Sequence, residues 1–285
     1  MADVGRGRLY LVGTPIGNLE DITLRALRVL READLIAAED TRRARKLLAR
    51  YDIHTPLTSY HGHNEREKAL AVAREVEAGK RVALISDAGM PGVADPGFRA
   101  VEECVRRGLE VEVVPGPSSL TAALALSGLP LRRFRYEGFL PPSRAKRRSR
   151  LMSLLGEGEA VVLYEAPHRL LETLSDIAEM APERPVVVAR ELTKLHEEVL
   201  RGTASELLGV LAERKPRGEF VLVVAPGGEA EAPPLPRLAE EVAALVRGGE
   251  RTREAVRAVA KRHGVSQRDV YRSWLESRGG GQGSS

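Results

Sequence analysis

Short apolar segments alternate with amphipathic ones along the first half of the chain. The apolar segments lie at 9–12, 35–38, 82–85 and 111–114. The stretches between them carry the apolar spacing of helices, with one face suited to burial. This alternation predicts a mostly parallel sheet with helices on both faces, forming an N-terminal α/β domain over residues 1–130.

A second series of segments begins after Gly128-Leu-Pro130 and predicts another α/β domain over residues 131–228. The predicted strands are 136–140, 160–164, 185–189, 198–201 and 220–225. The third and fourth of them have no helix between them. The second sheet is therefore predicted to be mixed, because parallel neighbours need a long crossover connection.

The C-terminal part is predicted to be a linker over 229–236, a small helical extension over 237–278 and a disordered tail over 279–285. Within the extension, Ala260 and Gly264 have the spacing of a helix-turn-helix turn. Two interpretations stay open: a helix-turn-helix that binds nucleic acid, and a helical cap or dimer element.

Loops rich in glycine and proline follow three of the N-terminal strands, at 13–18, 86–97 and 115–118. Glycine lets a backbone approach a ligand closely, and proline stiffens the loop. Since parallel strands end at the same edge of a sheet, these loops predict one small-molecule site there.

Composition narrows the class of protein. The chain has 285 residues, of which 43% are hydrophobic, which is enough for two cores. No apolar run approaches the roughly 20 residues of a membrane helix, and the N-terminus lacks a signal-peptide core. We expect a cytoplasmic protein without membrane contact.

The one cysteine, Cys104, excludes an internal disulfide and a cysteine-based zinc site.

The net charge of +4 is modest, but the basic residues are clustered. Clusters lie at 41–46, 131–135 and 144–150, close to loops or strand ends. They are either contacts for nucleic-acid phosphates or ordinary solvated helix faces.

Several common sites are disfavoured by residue spacing. Gly13–Gly17 fits neither the dinucleotide fingerprint nor the P-loop, which also needs a lysine and a hydroxyl. His61 and His63 lack a third metal ligand, and Glu39-Asp40 more often bonds a substrate or an arginine than magnesium. We therefore expect no metal.

Two further clusters are candidates for binding or catalysis. Ser118 and Ser119 begin a helix, where they can cap it and contact a ligand. Glu165, His168 and Arg169 follow the strand at 160–164 and suit substrate binding and proton transfer. Local ion pairing is the alternative for this second cluster.

Six collinear motifs resemble those of the bacterial small-subunit ribosomal RNA cytidine-2′-O-methyltransferases, a family within the tetrapyrrole methylase superfamily. They are Leu9–Thr23, Ala38–Arg42, Ser86–Gly97, Pro115–Ser118, Tyr136–Pro141 and Tyr164–Arg169. The resemblance covers about residues 8–228, and the C-terminal helices resemble an extension that many members carry.

The resemblance implies two α/β domains with S-adenosylmethionine, the methyl donor, in the cleft between them, and a homodimer. The implied donor-binding residues are Pro15, Ile16, Gly17, Asp87, Ala88, Gly89, Met90, Pro91, Ser118, Ser119, Tyr164, Leu192, Ala225 and Pro226. One motif departs from porphyrin-acting relatives, since Ala88-Gly-Met-Pro91 replaces their Gly-Gly-Asp-Pro.

The implied substrate is a cytidine of the 16S rRNA decoding region, within the 30S subunit, methylated on its ribose 2′-oxygen. The candidate RNA contacts are Arg42, Arg43, Arg144, Lys146, Arg147, Arg148 and Arg169. Because aromatic residues make up only 4% of the chain, we expect recognition by shape and backbone rather than by an aromatic stacking platform.

A ribose hydroxyl needs a base to become a good nucleophile. Glu39 and Glu165 are the preferred candidates, with His61 or His168 orienting the ribose. Two alternative functions stay open: methylation of a precorrin-type tetrapyrrole, and RNA binding without catalysis.

Overall fold

A computed structural model describes residues 7–227, 234–263 and 265–279. The first sheet has strand order β3-β2-β4-β1-β5, and all its pairings are parallel. Its strands are β1 (Arg8–Val12), β2 (Leu35–Ala38), β3 (Leu57–Ser59), β4 (Arg81–Ile85) and β5 (Glu110–Val114). The apolar pattern did not predict β3, since it is a three-residue edge strand that is only half-buried.

Helices cover both faces of this sheet, as the alternating pattern predicts. They are α1 (Leu24–Glu32), α2 (Thr41–Arg50), α3 (Glu65–Glu77) and α4 (Phe98–Arg106). Successive strand residues face opposite sides: Ala83 packs with α1 and α2, whereas Val82 and Leu84 pack with α3 and α4. Cys104 is fully buried in the second of these cores.

The second sheet is mixed, as predicted, with strand order β6-β7-β10-β8-β9. Only β6 and β7 pair in parallel; the other pairs are antiparallel. The strands are β6 (Phe134–Phe139), β7 (Ala160–Glu165), β8 (Pro185–Arg190), β9 (Glu198–Thr203) and β10 (Phe220–Val224).

The two faces of the second sheet are covered from different parts of the chain. Helices α6 (Arg144–Gly156), α7 (Leu170–Met180) and α8 (Ala204–Ala212) cover one face. The other receives α5 (Ser119–Ser127), whose Ala123 is fully buried against β7, β8 and β10. The predicted boundary at residue 130 follows α5, so a helix of the first segment completes the second core.

Three helices form a C-terminal bundle with its own core, which includes Trp274: α9 (Leu235–Arg247), α10 (Thr252–His263) and α11 (Gln267–Gly279). Most of the predicted linker, Gly264 of the predicted turn, and the tail beyond Gly279 lie outside the described residues. Within the described ranges, no helix is long and apolar enough to cross a membrane.

Candidate active site

The three loops rich in glycine and proline meet at one end of the first sheet. The Thr14 amide donates to the Gly89 carbonyl at 2.9 Å, and the Gly89 amide donates back to Thr14 at 3.1 Å. The Thr14 hydroxyl reaches the Ser86 carbonyl at 3.2 Å. The first two loops are therefore joined by backbone bonds, and both are held rigidly.

Close approach of backbones explains the glycines in these loops. A Cβ atom on Gly13 would lie 2.7 Å from the Gly116 Cα, nearer than real Cβ contacts occur. Gly89 adopts φ +78°, a left-handed conformation that favours glycine. Together the loops form a narrow cradle that side chains would fill.

A cleft of about 420 Å³ opens beside the cradle. Its walls come from the loops after β1, β2, β4 and β5 and, across from them, from the ends of β6 and β7, the β8–β9 loop and the start of β10. A volume in this range suits a nucleoside-sized ligand. A smaller recess of about 260 Å³ adjoins it and shares Ile16, Asp87 and Ala88.

Most of the predicted donor-binding residues lie together here. The cleft is lined by Ile16, Asp87, Ala88, Gly89, Met90, Ser118, Ser119, Tyr164 and Leu192. Pro15 and Gly17 line the recess, and Pro91 is buried within the second loop. The placement agrees with one shared site, while the individual donor contacts stay predictions.

Ala225 and Pro226 do not belong to this group, which corrects the expectation from sequence. Strand β10 runs antiparallel to β7 and β8, so its first residue, Phe220, is the one at the cleft. The Ala225 amide instead donates to the Pro185 carbonyl at the far end of the sheet. The sequence pattern could not predict strand direction here.

The cleft is rich in acidic residues, which are Glu39, Asp87, Asp95, Glu165 and Glu219. Burial raises the pKa of Glu39 and of Asp95, and for both the charge of Asp87 adds to the shift. Arg43 lies 3.2 Å from Asp87 and offsets part of this charge. Such a lining favours a cationic ligand, as a sulfonium is. Asp95 was missed, although it belongs to the loop singled out in the sequence.

The two candidate bases, Glu39 and Glu165, differ in the hydrogen bonds that their carboxylate oxygens accept. Glu39 faces the cleft and accepts one bond, from the Asp87 amide at 3.2 Å. The Glu165 carboxylate is buried, accepting from the Thr173 hydroxyl at 2.6 Å and from the Ala166 amide at 2.9 Å. Because its oxygens are already bonded, Glu165 suits a structural role better than proton transfer.

The two candidate histidines lie outside the cleft lining, contrary to expectation. His61 follows the edge strand β3, and its Nε2 lies 3.2 Å from Nδ2 of the Asn64 side chain. His168 is exposed to solvent in the turn before α7. Among the described residues, no group of three or more His, Cys, Asp or Glu side chains is arranged to hold a metal.

Comparison with known proteins identifies the family. Residues 8–208 match the family described as Tetrapyrrole (Corrin/Porphyrin) Methylases. The chain is 52% identical over 219 residues to a Thermotoga maritima protein named Ribosomal RNA small subunit methyltransferase I, covering 76% of this chain and 98% of that one. It is 43% identical to the Escherichia coli O157:H7 protein of that name, covering 98% of both.

The chain belongs to the ribosomal RNA small subunit methyltransferase I family. It is thus a methyltransferase, and its methyl donor is S-adenosylmethionine, as predicted. A solved structure, uroporphyrin-III-C-methyltransferase from Thermus thermophilus, shares the fold with TM-score 0.55 and 27% identity, covering 77% of this chain and 94% of that one. Another solved structure, named Uroporphyrin-III C-methyl transferase from Thermus thermophilus and complexed with S-adenosylhomocysteine, has TM-score 0.54 and 22% identity, covering 77% of this chain and 97% of that one.

Three of the arginines predicted to contact RNA form ion pairs or hydrogen bonds within the protein. Arg147 is 1% exposed, and its guanidinium lies 2.7 Å from the Asp176 carboxylate. Arg148 also pairs with Asp176, at 2.9 Å. Arg169 donates to the Leu140 carbonyl at 2.8 Å. The basic cluster on α6 is thus largely neutralised by α7, and the Arg169 guanidinium is bound to backbone carbonyls. These two findings correct the expectation of RNA contact for Arg147 and Arg169.

The remaining predicted contacts are exposed. Arg42 is bound to Asp40, and this arginine holds the pKa of Asp40 well below its usual range. Arg43 lines the cleft, while Arg144 and Lys146 are solvent-exposed on α6. Of the four, Arg43 is therefore the one that lines the cleft.

Proposed function

We propose that this chain transfers a methyl group from S-adenosylmethionine to the ribose 2′-oxygen of a cytidine in the 16S rRNA decoding region, within the 30S subunit. The observation that carries the proposal is the acid-lined cleft formed where three glycine-rich loops converge. The names of its relatives support rRNA as the substrate, and the motif resemblance supports the cytidine and its 2′-oxygen. This substrate also implies a cytoplasmic location.

The residues of the cleft account for donor binding. The donor supplies an electrophilic methyl group on a positively charged sulfur. The backbone cradle around Gly13, Gly89 and Gly116 leaves room for it, and the Asp87 and Asp95 carboxylates complement its charge. The apolar part of the cleft wall strengthens the attraction between these carboxylates and the sulfonium, because little water screens it.

Glu39 is the residue best placed to remove the proton of the attacking hydroxyl. Its carboxylate faces the cleft, and its raised pKa makes it a stronger base than an exposed glutamate. Arg43, beside it in the cleft, is placed to contact the phosphate of the target nucleotide. Positioning of the hydroxyl accounts for the rest of the rate, because alignment alone can supply a large acceleration.

Transfer of labelled methyl tests the proposal. Purified protein is incubated with tritiated S-adenosylmethionine and either 30S subunits or uroporphyrinogen. We expect label in 16S rRNA, recovered after digestion as 2′-O-methylcytidine. Label in uroporphyrinogen would favour a tetrapyrrole methylase, and label in neither, with no donor binding by calorimetry, would favour RNA binding without catalysis.

The resemblance also implies a homodimer. A second copy would cover the exposed apolar side chains of Leu126 on α5 and Val113 on the edge strand β5. Sedimentation of the purified protein at micromolar concentration tests this expectation. A single species of monomer mass would contradict it.

A further inference from the structure

Strand β6 carries a β-bulge at the edge of the second sheet. Tyr136 pairs with Val162 and Gly138 with Leu163, so one extra residue is inserted in β6. Gly138 adopts φ +72°, which the bulge requires. Bulges turn the side chains that follow them and are common beside active sites.

The bulge brings an additional aromatic ring to the cleft side of the sheet. In a regular strand, Tyr136 and Phe139 would face opposite sides. Both rings instead meet Tyr164 on β7 edge to face, with centroids 5.3 Å and 5.8 Å away. Three aromatic residues of a chain poor in them therefore form one cluster.

The members of this cluster differ in exposure. Tyr136 has a buried hydroxyl, and the Tyr164 hydroxyl lies 2.8 Å from that of Ser119. Phe139 is 58% exposed although it lines the cleft. Its ring is thus backed on one side by Tyr164 and open to a ligand on another.

The backbone after Phe139 is held firmly in place. The Arg169 guanidinium donates to the Leu140 carbonyl at 2.8 Å and to the Pro141 carbonyl at 3.1 Å. The same guanidinium lies 3.4 Å from the buried Glu165 carboxylate. An arginine expected to contact RNA therefore fixes the segment that presents the phenylalanine.

We propose that Phe139, backed by Tyr164, is a stacking platform for the base of the target nucleotide. The inference rests on the proposed function, because a nucleotide drawn out of the RNA stack can bring its ribose into a cleft of this size. A flipped base needs an apolar, flat partner, and aromatic side chains serve this purpose in RNA recognition. A Phe139 ring beside the carboxylates of the cleft would hold the base while the ribose faces Glu39.

Kinetics on 30S subunits test the platform. Phe139→Ala should raise KM for 30S subunits about tenfold, the size expected for one lost stack, and leave the Kd for S-adenosylmethionine unchanged. Phe139→Trp should restore KM. Phe134→Ala is the matched control, since Phe134 is 45% exposed on the same strand but does not line the cleft.

A spectroscopic measurement reports stacking without catalysis. A decoding-region RNA with pyrrolo-cytidine at the target position should gain fluorescence as the base leaves the RNA stack, and stacking should partly quench this gain in wild-type protein and in the Phe134→Ala variant. Phe139→Ala should show the larger, unquenched gain, because no ring stacks on the base.

Three results would overturn the inference. The first is that Phe139→Ala matches Phe134→Ala in both KM and quenching. The second is that Phe139→Ala weakens donor binding as much as RNA binding, which would place the ring in the donor pocket. A wild-type protein that methylates no 30S subunit would refute the proposed function as well. The first two results leave that function intact.

Discussion

Gly13 and Gly116 touch backbone to backbone beneath the cleft, so that a Cβ on Gly116 would lie 2.9 Å from the Gly13 Cα. The contact joins the loop after β1 to the loop after β5. Neighbouring backbone atoms cannot move aside as a flexible side chain would. The shape of the donor cradle therefore depends on the absence of two side chains.

Substitution of Gly116 by alanine should disturb this contact. We expect Gly116→Ala to lower the free energy of unfolding by about 1–3 kcal/mol, as overpacking does, and to weaken donor binding about tenfold. Gly209→Ala is the control, because Gly209 is exposed in α8 with no atom within 4 Å of the added Cβ. Urea unfolding and calorimetry measure both effects; wild-type donor affinity in Gly116→Ala would contradict the cradle.

Donor affinity should depend on pH through the carboxylates of the cleft. Burial raises the pKa of Glu39 above its ordinary 4.5, so the carboxyl of the free enzyme stays neutral to a higher pH than an exposed glutamate. As pH rises from 4.5 through the raised pKa, the cleft gains negative charge and should bind cationic S-adenosylmethionine more tightly. Neutral S-adenosylhomocysteine should show a much smaller change.

The raised pKa of Glu39 also makes the stability of the fold depend on pH. A raised carboxyl pKa stabilises the fold below the ordinary pKa, and this contribution is lost as pH rises through the raised value. Glu39→Gln should therefore be more stable than wild type above that window and should flatten the pH dependence of donor binding. Calorimetry and thermal unfolding across pH test both points; equal pH profiles for the two ligands would refute the electrostatic explanation.

The two candidate bases should separate in their effects. Glu39→Gln should keep the fold, bind the donor as the wild-type enzyme with protonated Glu39 does, and lower kcat about a hundredfold, the usual size of a general-base contribution. Glu165→Gln should mainly lower stability, because it weakens the hydrogen bond from the Thr173 hydroxyl and removes the ion pair with the Arg169 guanidinium. Single-turnover rates and melting temperatures distinguish them. Full activity in Glu39→Gln would mean that positioning alone carries the rate.

The buried ion pair between α6 and α7 should matter for folding and not for RNA. Arg147→Met removes the cation nearest to Asp176, which is 2% exposed and keeps Arg148 at 2.9 Å, so stability should fall by about 1–3 kcal/mol. Lys146→Ala, at the neighbouring exposed position, should leave stability unchanged and weaken 30S binding slightly. Urea unfolding and filter binding compare the two variants. Unchanged stability together with weakened 30S binding in Arg147→Met would instead support Arg147 as an RNA contact.

Local patterns in the sequence were sufficient to predict most of the fold and the donor cleft. Apolar segments of strand length followed by loops such as 86–97 indicate a ligand site, because parallel strands all end at one edge of a sheet. The site could therefore be located before any long-range contact was known. Residues Ile16, Asp87 and Ser119 indeed line one cleft.

Other features depended on contacts between distant parts of the chain. The direction of β10 places Phe220 rather than Ala225 at the cleft, and pairing with Asp176 removes Arg147 from the surface. The bulge in β6 turns Phe139 toward Tyr164. Sequence by itself determined which segments form strands and where they end, because those properties are local. Only the tertiary structure decided strand direction, charge partners and the face of each side chain, because these depend on long-range pairing.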